Sequence, residues 1–215
     1  MKKGVFISFE GGDGAGKSTQ IKLLAGRLRA HGIEVIETRE PGGTPEGEGI
    51  RELLVLGNPK RWDGMSEALL NYAARRRHVE ALIKPALAGG AWVLSDRFAD
   101  STMAYQGIAQ GVGEAAIARL HRLTLGTLQP ALTLVLDLDP DLGLARSNKR
   151  HFHSALAETR YERMGEAFQH KLRAAFRKIA KDNPKRCVRL DASKSEMAVA
   201  ETVWKLVAKR FKLSP

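Results

Sequence analysis

The sequence predicts one α/β domain over residues 1–215, built on a five-stranded parallel sheet with helices on both faces. Three observations point there. Apolar runs of strand length alternate with helix-length amphipathic segments along the chain, and a glycine-rich turn at 11–18 joins the first run to the first helical stretch. The 215 residues suffice for one well-buried core but not for two, and no linker, repeat or low-complexity tract divides them.

The expected strands are 5–9, 33–37, 91–95, 132–137 and 187–190. After the first, Ile21, Leu24 and Leu28 recur at helical spacing and Gly32 follows as a stop. A long helical region over 64–88 carries the stripe Leu69, Leu70, Ala73, Val79 and Leu82. Further helices are expected at 113–127, 162–182 and 195–211, the last with Met197, Val199, Val203, Leu206 and Val207. Between helices lies a polar, basic, histidine-containing segment at 147–160. A connection this long in a compact domain is usually functional, so a mobile lid is expected over about 147–162.

Composition excludes several classes. With 43% hydrophobic and 27% charged residues, disorder is not a serious reading. No apolar stretch approaches the roughly 20 residues of a membrane span, and the N-terminus lacks the features of a secretory signal. The single cysteine, Cys187, makes no internal disulfide, and no Cys/His cluster suggests zinc. A cytoplasmic protein with no membrane partner is expected. The net charge of +11 leaves two readings, a nucleic-acid binder or an enzyme with polyanionic substrates. Much of the excess falls after residue 145, in Arg146, Lys149, Arg150, Arg160, Arg163 and the helix beyond, with little aromatic interleaving. Charge alone decides nothing.

The turn does decide. Gly11-Gly12-Asp13-Gly14-Ala15-Gly16-Lys17-Ser18 satisfies G-x-x-x-x-G-K-[ST], the phosphate-binding loop of P-loop NTPases. Gly11 and Gly16 let backbone N–H groups close on phosphate oxygens where a Cβ would collide. The following helix adds its positive end. Lys17 supplies a point charge to the β- and γ-phosphates, and the Ser18 hydroxyl suits Mg²⁺. No N-K-x-D guanine reader is present, because Asn148-Lys149 is followed by Arg150-His151. A small-molecule kinase is favoured over a GTPase or a motor.

Further clusters sit where strands end, the usual place for ligands in such sheets. They are Thr38-Arg39-Glu40-Pro41-Gly42-Gly43-Thr44, Tyr72-Ala73-Ala74-Arg75, Asp96-Arg97-Phe98 and Ser101-Thr102-Met103-Ala104-Tyr105-Gln106-Gly107. Asp96 and Asp137 each end an apolar strand and compete for a metal role; Asp96 is favoured because Arg97 beside it aims that strand end at phosphate. Arg75 is one of three consecutive arginines, and Tyr105 has a competing reading as core filling.

R-E-P-G-G-T, A-A-R, D-R-F and S-T-x-A-Y-Q-G, in this order after the P-loop, resemble the thymidylate kinase family of bacterial type, from the first strand to about residue 190. The resemblance implies phosphorylation of dTMP to dTDP with Mg·ATP, the nucleoside-monophosphate-kinase fold and a homodimer. It implies that Arg39 and Arg97 grip the acceptor phosphate, with Pro41 beside them, and that Arg75 reaches the thymine O4. Ser101, Tyr105 and Gln106 would line base and sugar, and Asp13 would hold the 3′-OH. Gly11 to Ser18, Thr19 and Arg146 would contact ATP, with Ser18 and Asp96 at Mg²⁺. An acceptor site of this kind argues against nucleic acid as the partner.

Two features depart from the family pattern. Asn71 occupies the position where the family places a thymine-stacking Phe, which motivates another deoxynucleoside monophosphate as the alternative substrate; Tyr72 or Phe98 would have to compensate. The P-loop also lacks an arginine, so the lid would have to supply one to the transferring group. Arg160, in Thr159-Arg160-Tyr161-Glu162, is the first candidate and Arg150 the second, working with Lys17, Arg97 and Asp13.

Overall fold

Parallel strands covered on both faces run largely apolar, and Phe6–Glu10 (β1) is fully buried along its length, Ser8 and Glu10 included. It lies at the centre of a sheet with Val35–Arg39 (β2), Trp92–Asp96 (β3), Leu132–Asp137 (β4) and Cys187–Asp191 (β5), in the order β2-β3-β1-β4-β5. All pairings are parallel, with Ser8 registered beside Ser95 and Thr133. The computed structural model describes residues 4–58, 60–151 and 160–213, at 147–151 and 162 by the backbone alone.

Alternation along β1 divides the core. Ile7 and Phe9 face the layer of Lys17–Ala30 (α1), where they meet Leu24, Leu28, Leu134 and Leu136. Phe6 faces the opposite layer, with Tyr72, Val79, Val93, Phe98 and Ile117. β1 has β3 on one side and β4 on the other, so its C-terminal end opens where the strand order diverges, the crevice that takes ligands in such sheets.

The helices depart from expectation in several places. Pro45–Val55 (α2) was not foreseen, because Gly47 and Gly49 give it poor intrinsic propensity; Pro45 at its start and the Thr44 cap on Gly47 N–H support it. The single helix expected over 64–88 is Gly64–His78 (α3), a wide π turn at Val79–Ile83, then Lys84–Ala88 (α4). Pro85 cannot donate to the carbonyl a turn earlier, which suits a register change there. Ala99–Thr102 (α5) continues as a π segment, Met103–Ala109, and Glu114–Leu125 (α6) follows. Pro140–His151 (α7) takes in the first part of the expected lid, residues 147–151; residues 152–159 lie outside the described residues. A 3₁₀ turn, Glu162–Met164, stops at Gly165, whose φ of 87° breaks the helix expected over 162–182 so that Glu166–Asp182 (α8) starts afresh. Glu196–Phe211 (α9), capped by Ser195, closes the chain over α1. Among the described residues no helix is long and apolar enough to cross a membrane.

Candidate active site

β1 runs straight into the phosphate loop. Gly14 has φ 74°, and a Cβ there would collide with the Gly143 carbonyl of α7. Gly16, at φ 91°, is the N-cap of α1 and directs that helix's first N–H groups at the loop. Lys17 is buried, and its Nζ donates to the carbonyls of Gly12 at 2.9 Å and Gly11 at 3.3 Å. Burial, and then the Arg97 charge, lower its pKa from 10.5 to about 8. Ser18 Oγ donates to Asp96 Oδ2 at 2.7 Å, so the two residues expected at the metal are adjacent. Thr19 follows half-buried on α1.

Asp137, the competitor, is consumed elsewhere. Arg173 and Arg177 of α8 pair with it at 2.8 Å each, and Arg189 of β5 lies 3.5 Å away. A hydroxyl beside a carboxylate at the end of the loop is a hard-oxygen set suited to Mg²⁺. Asp96 fits that role and Asp137 does not.

Arg97 joins the loop to the acceptor side. Its backbone sits at φ 70°, which costs a non-glycine residue about 1–2 kcal/mol. The conformation is held by Arg97 N–H donating to Phe9 O and by Ser95 Oγ donating to Arg97 O. Nη1 donates to Gly11 O at 3.0 Å and Ser101 Oγ at 3.2 Å, and Nη2 to Asp13 Oδ1 at 2.5 Å. The guanidinium lies over the Tyr105 ring, 5.2 Å from its centroid. Burial alone would lower its pKa, but Tyr105, Asp13 and Asp96 together outweigh it and raise it. Arg97, Asp13, Ser101 and Tyr105 therefore converge.

Behind them, Glu10 is fully buried and accepts from Phe98 N–H at 2.7 Å and Ser101 Oγ at 2.6 Å. Burial and the nearby Asp100 carboxylate push it up to about 8. Its position directly before the glycine-rich loop is the signal that could have marked it.

The wall expected to meet the acceptor is built on Arg75, which is buried. Nε donates to Glu40 Oε2 at 2.6 Å, and Nη2 donates to Phe98 O at 3.1 Å and Thr102 Oγ1 at 3.0 Å. Its carbon lies 4.6 Å from the Tyr72 ring and 5.3 Å from that of Phe98. Both aromatics are fully buried, and Phe98 packs edge-on to Phe6. They support Arg75 and present no open face to replace the aromatic missing at Asn71. Asn71 Nδ2 donates back along its own helix to Glu67 O at 2.9 Å. Glu40 and Thr102 lay within the clusters read from the sequence but were given no role there.

The other expected residues are distributed as follows. Arg39 is half exposed and paired with Glu48 at 2.8 Å. Pro41 follows a cis peptide bond and accepts from Arg51 at 2.6 Å. Gln106 Nε2 donates to Glu67 Oε2 at 2.8 Å. Arg146 is exposed and donates to Ala192 O at 3.2 Å. Arg150 lies in α7 with its side chain outside the described residues.

Arg160 sits differently from the lid expectation. It does not stand in an open lid: its guanidinium is wholly buried against α3, ion-paired with Glu67 and donating to Leu54 O at 3.0 Å and Asn58 O at 3.1 Å. Glu67, equally buried, also accepts from Gln110 and from Tyr161 Oη. A guanidinium matched to a buried carboxylate would leave that charge uncompensated if it moved away.

Comparison with known proteins gives the family. The family model described as thymidylate kinase matches residues 9–203. A thymidylate kinase of Caulobacter vibrioides is 51% identical over 213 residues, covering 99% of this chain and 100% of its own length. One from Magnetococcus marinus is 48% identical, covering 99% of each chain. The solved structure of thymidylate kinase from Ehrlichia chaffeensis superposes with a TM-score of 0.74 at 35% identity, covering 95% of this chain and 99% of that one. With such agreement from the first strand to the last helix, the chain belongs to the thymidylate kinase family, phosphotransferases that convert dTMP to dTDP with ATP.

Proposed function

We propose that this dTMP kinase works as a single cytoplasmic domain over residues 1–215, paired as a homodimer, with Mg²⁺ as cofactor. Exposed Met65 and Leu69 on α3 and Leu123 on α6 support the dimer. The P-loop holds the ATP phosphates, and Lys17 exchanges its two loop carbonyls for the β- and γ-oxygens. Ser18 and Asp96 would hold Mg²⁺, which neutralises charge on the β- and γ-phosphates when bound. The acceptor phosphate oxygen attacks the γ-phosphorus while the bond to the β-bridging oxygen breaks, so the protein's task is alignment and neutralisation.

Arg97 performs both tasks: it bonds the phosphate loop at Gly11 and Asp13 and reaches Ser101 on the acceptor side, so one guanidinium spans donor and acceptor. That contact set carries the reading. Arg39 joins it at the acceptor phosphate, Asp13 takes the 3′-OH, Tyr105 and Ser101 line the sugar, and Arg75 faces the base. With Arg160 committed to Glu67, Arg150 is the lid candidate for the transferring group. A panel of monophosphates with Mg·ATP tests the base assignment: dTMP should lead, dUMP follow, and purine monophosphates trail far behind. Asn71 favours the second reading, a different deoxynucleotide acceptor, and faster turnover of dCMP or dGMP than dTMP would select it.

A further inference from the structure

Arg75 has one edge left over. Nε is taken by Glu40 and Nη2 by Phe98 O and Thr102, whereas Nη1, fully buried, has no hydrogen-bond partner. An unsatisfied buried N–H pair is costly, and an acceptor atom from a ligand would relieve it. Which edge is left over depends on Glu40. Its other oxygen accepts from His78 Nδ1 at 2.8 Å, and His78 Nε2 lies 2.7 Å from Thr38 Oγ1 on β2. The Glu40 side chain is 2% exposed and that of His78 0%. The carboxylate is thus clamped from behind and presents a single oxygen to the Arg75 Nε edge.

We propose that Glu40 is a positioning residue that sets the enzyme's choice between 4-oxo and 4-amino pyrimidines. It fixes the guanidinium in the one orientation that turns Nη1 to the base. This rests on the reading of the Arg75 wall as the base site. A 4-oxo group offers Nη1 an acceptor, whereas a 4-amino group at that position offers only another donor and leaves both unpaired. Asn71 gives no aromatic platform, so edge recognition carries more of the selection here than stacking does. Without the Glu40 charge, the guanidinium loses its Nε anchor and can turn, and a 4-amino ring is no longer met by a fixed donor.

The test is the ratio of kcat/KM for dTMP to that for 5-methyl-dCMP, two acceptors that differ only in the 4-substituent and its associated ring proton. A fall in the amount of folded enzyme scales both values equally and leaves the ratio untouched. In Glu40→Gln the ratio should fall by roughly tenfold or more. The loss should come through the KM of dTMP, with the KM of ATP unchanged, and Glu40→Asp, which keeps the charge, should restore part of it. Melting curves accompany each variant. If Glu40→Gln is unfolded at the assay temperature, Glu40→Asp carries the test and must still lower the ratio below wild type. A folded variant with the full wild-type ratio overturns the proposal. A wild-type enzyme indifferent between the two acceptors overturns instead the base-site reading beneath it.

Discussion

Replacing Arg160 by methionine would leave the Glu67 carboxylate in the interior without its cation. Both side chains are 0% exposed, so water cannot take the place of the lost partner. Breaking one side of such a pair costs about 3–5 kcal/mol. Glu67 Oε2 would keep three donors, Gln106 at 2.8 Å, Gln110 at 2.9 Å and Tyr161 Oη at 3.0 Å, which places the loss near the lower end. At about 3 kcal/mol, and about 2–4 °C per kcal/mol for a domain this long, Tm should drop by about 6–12 °C. Thermal unfolding followed by circular dichroism reads this directly. Removing Glu67 as well, in Glu67→Leu/Arg160→Met, should recover much of the loss, because no buried charge then stands alone. Turnover of the folded Arg160→Met enzyme should fall by less than about tenfold, since no phosphate contact is removed. A Tm within about 2 °C of wild type, with kcat down about a thousandfold as for a lost catalytic arginine, would show that Arg160 leaves Glu67 and works at the transferring group.

Two further outcomes follow from the loop. The Lys17 pKa of about 8 should rise when phosphate oxygens replace its carbonyl partners, so ATP binding takes up a proton above pH 8. Since the bound form has the higher pKa, affinity is fully present below about pH 8 and declines as pH rises toward the bound pKa. Calorimetry at pH 8.5 in buffers of different ionisation enthalpy should detect the uptake, and it should vanish in Lys17→Met; no uptake in wild type would contradict the exchange. At the sugar, Asp13 is 29% exposed, so losing its bond to the 3′-OH should cost about 1.5 kcal/mol, roughly tenfold in kcat/KM. Equal kcat/KM for dTMP and its 3′-deoxy analogue would sink that assignment.

How much could be read in advance followed from whether a feature depends on neighbours in sequence or in space. The three inner strands were legible because both-face burial makes them largely apolar runs, the edge strands β2 and β5 carry shorter ones, and every observed strand lies within two residues of its expected start. The phosphate loop was legible because its glycines and Lys17 act within eight residues. Asp96 and Asp137 looked alike, since each ends an apolar strand. What separates them is Arg173 and Arg177, brought over by α8 some 36 and 40 positions later. Arg160 is a similar case: its motif suggests a lid, but the carboxylate it pairs with lies 93 positions upstream. No local pattern in either segment announces the pair. The wide turn after α3 had a local sign in Pro85, whereas α2 had signs against it in Gly47 and Gly49.

The net charge of +11 left an enzyme of polyanionic substrates as one of two readings, yet the arginines of the site are already paired. Arg39 pairs with Glu48, Arg75 with Glu40, Arg97 with Asp13, and Arg160 with Glu67. A phosphate arriving at Arg39 or Arg97 must therefore compete with a carboxylate already in place, and its affinity is a difference between two ion pairs. The exposed pair, Arg39–Glu48, is worth little and yields readily. The buried pairs at Arg75 and Arg160 do not, because opening either leaves a charge in the interior. Exchange is thus confined to the rim and to Arg97, whose 15% exposure leaves it within reach of a ligand. The buried pairs stay closed while that exchange occurs, so in the proposed reading Arg75 meets a base through its spare Nη1 edge without giving up Glu40, and Arg160 stays with Glu67 as scaffold.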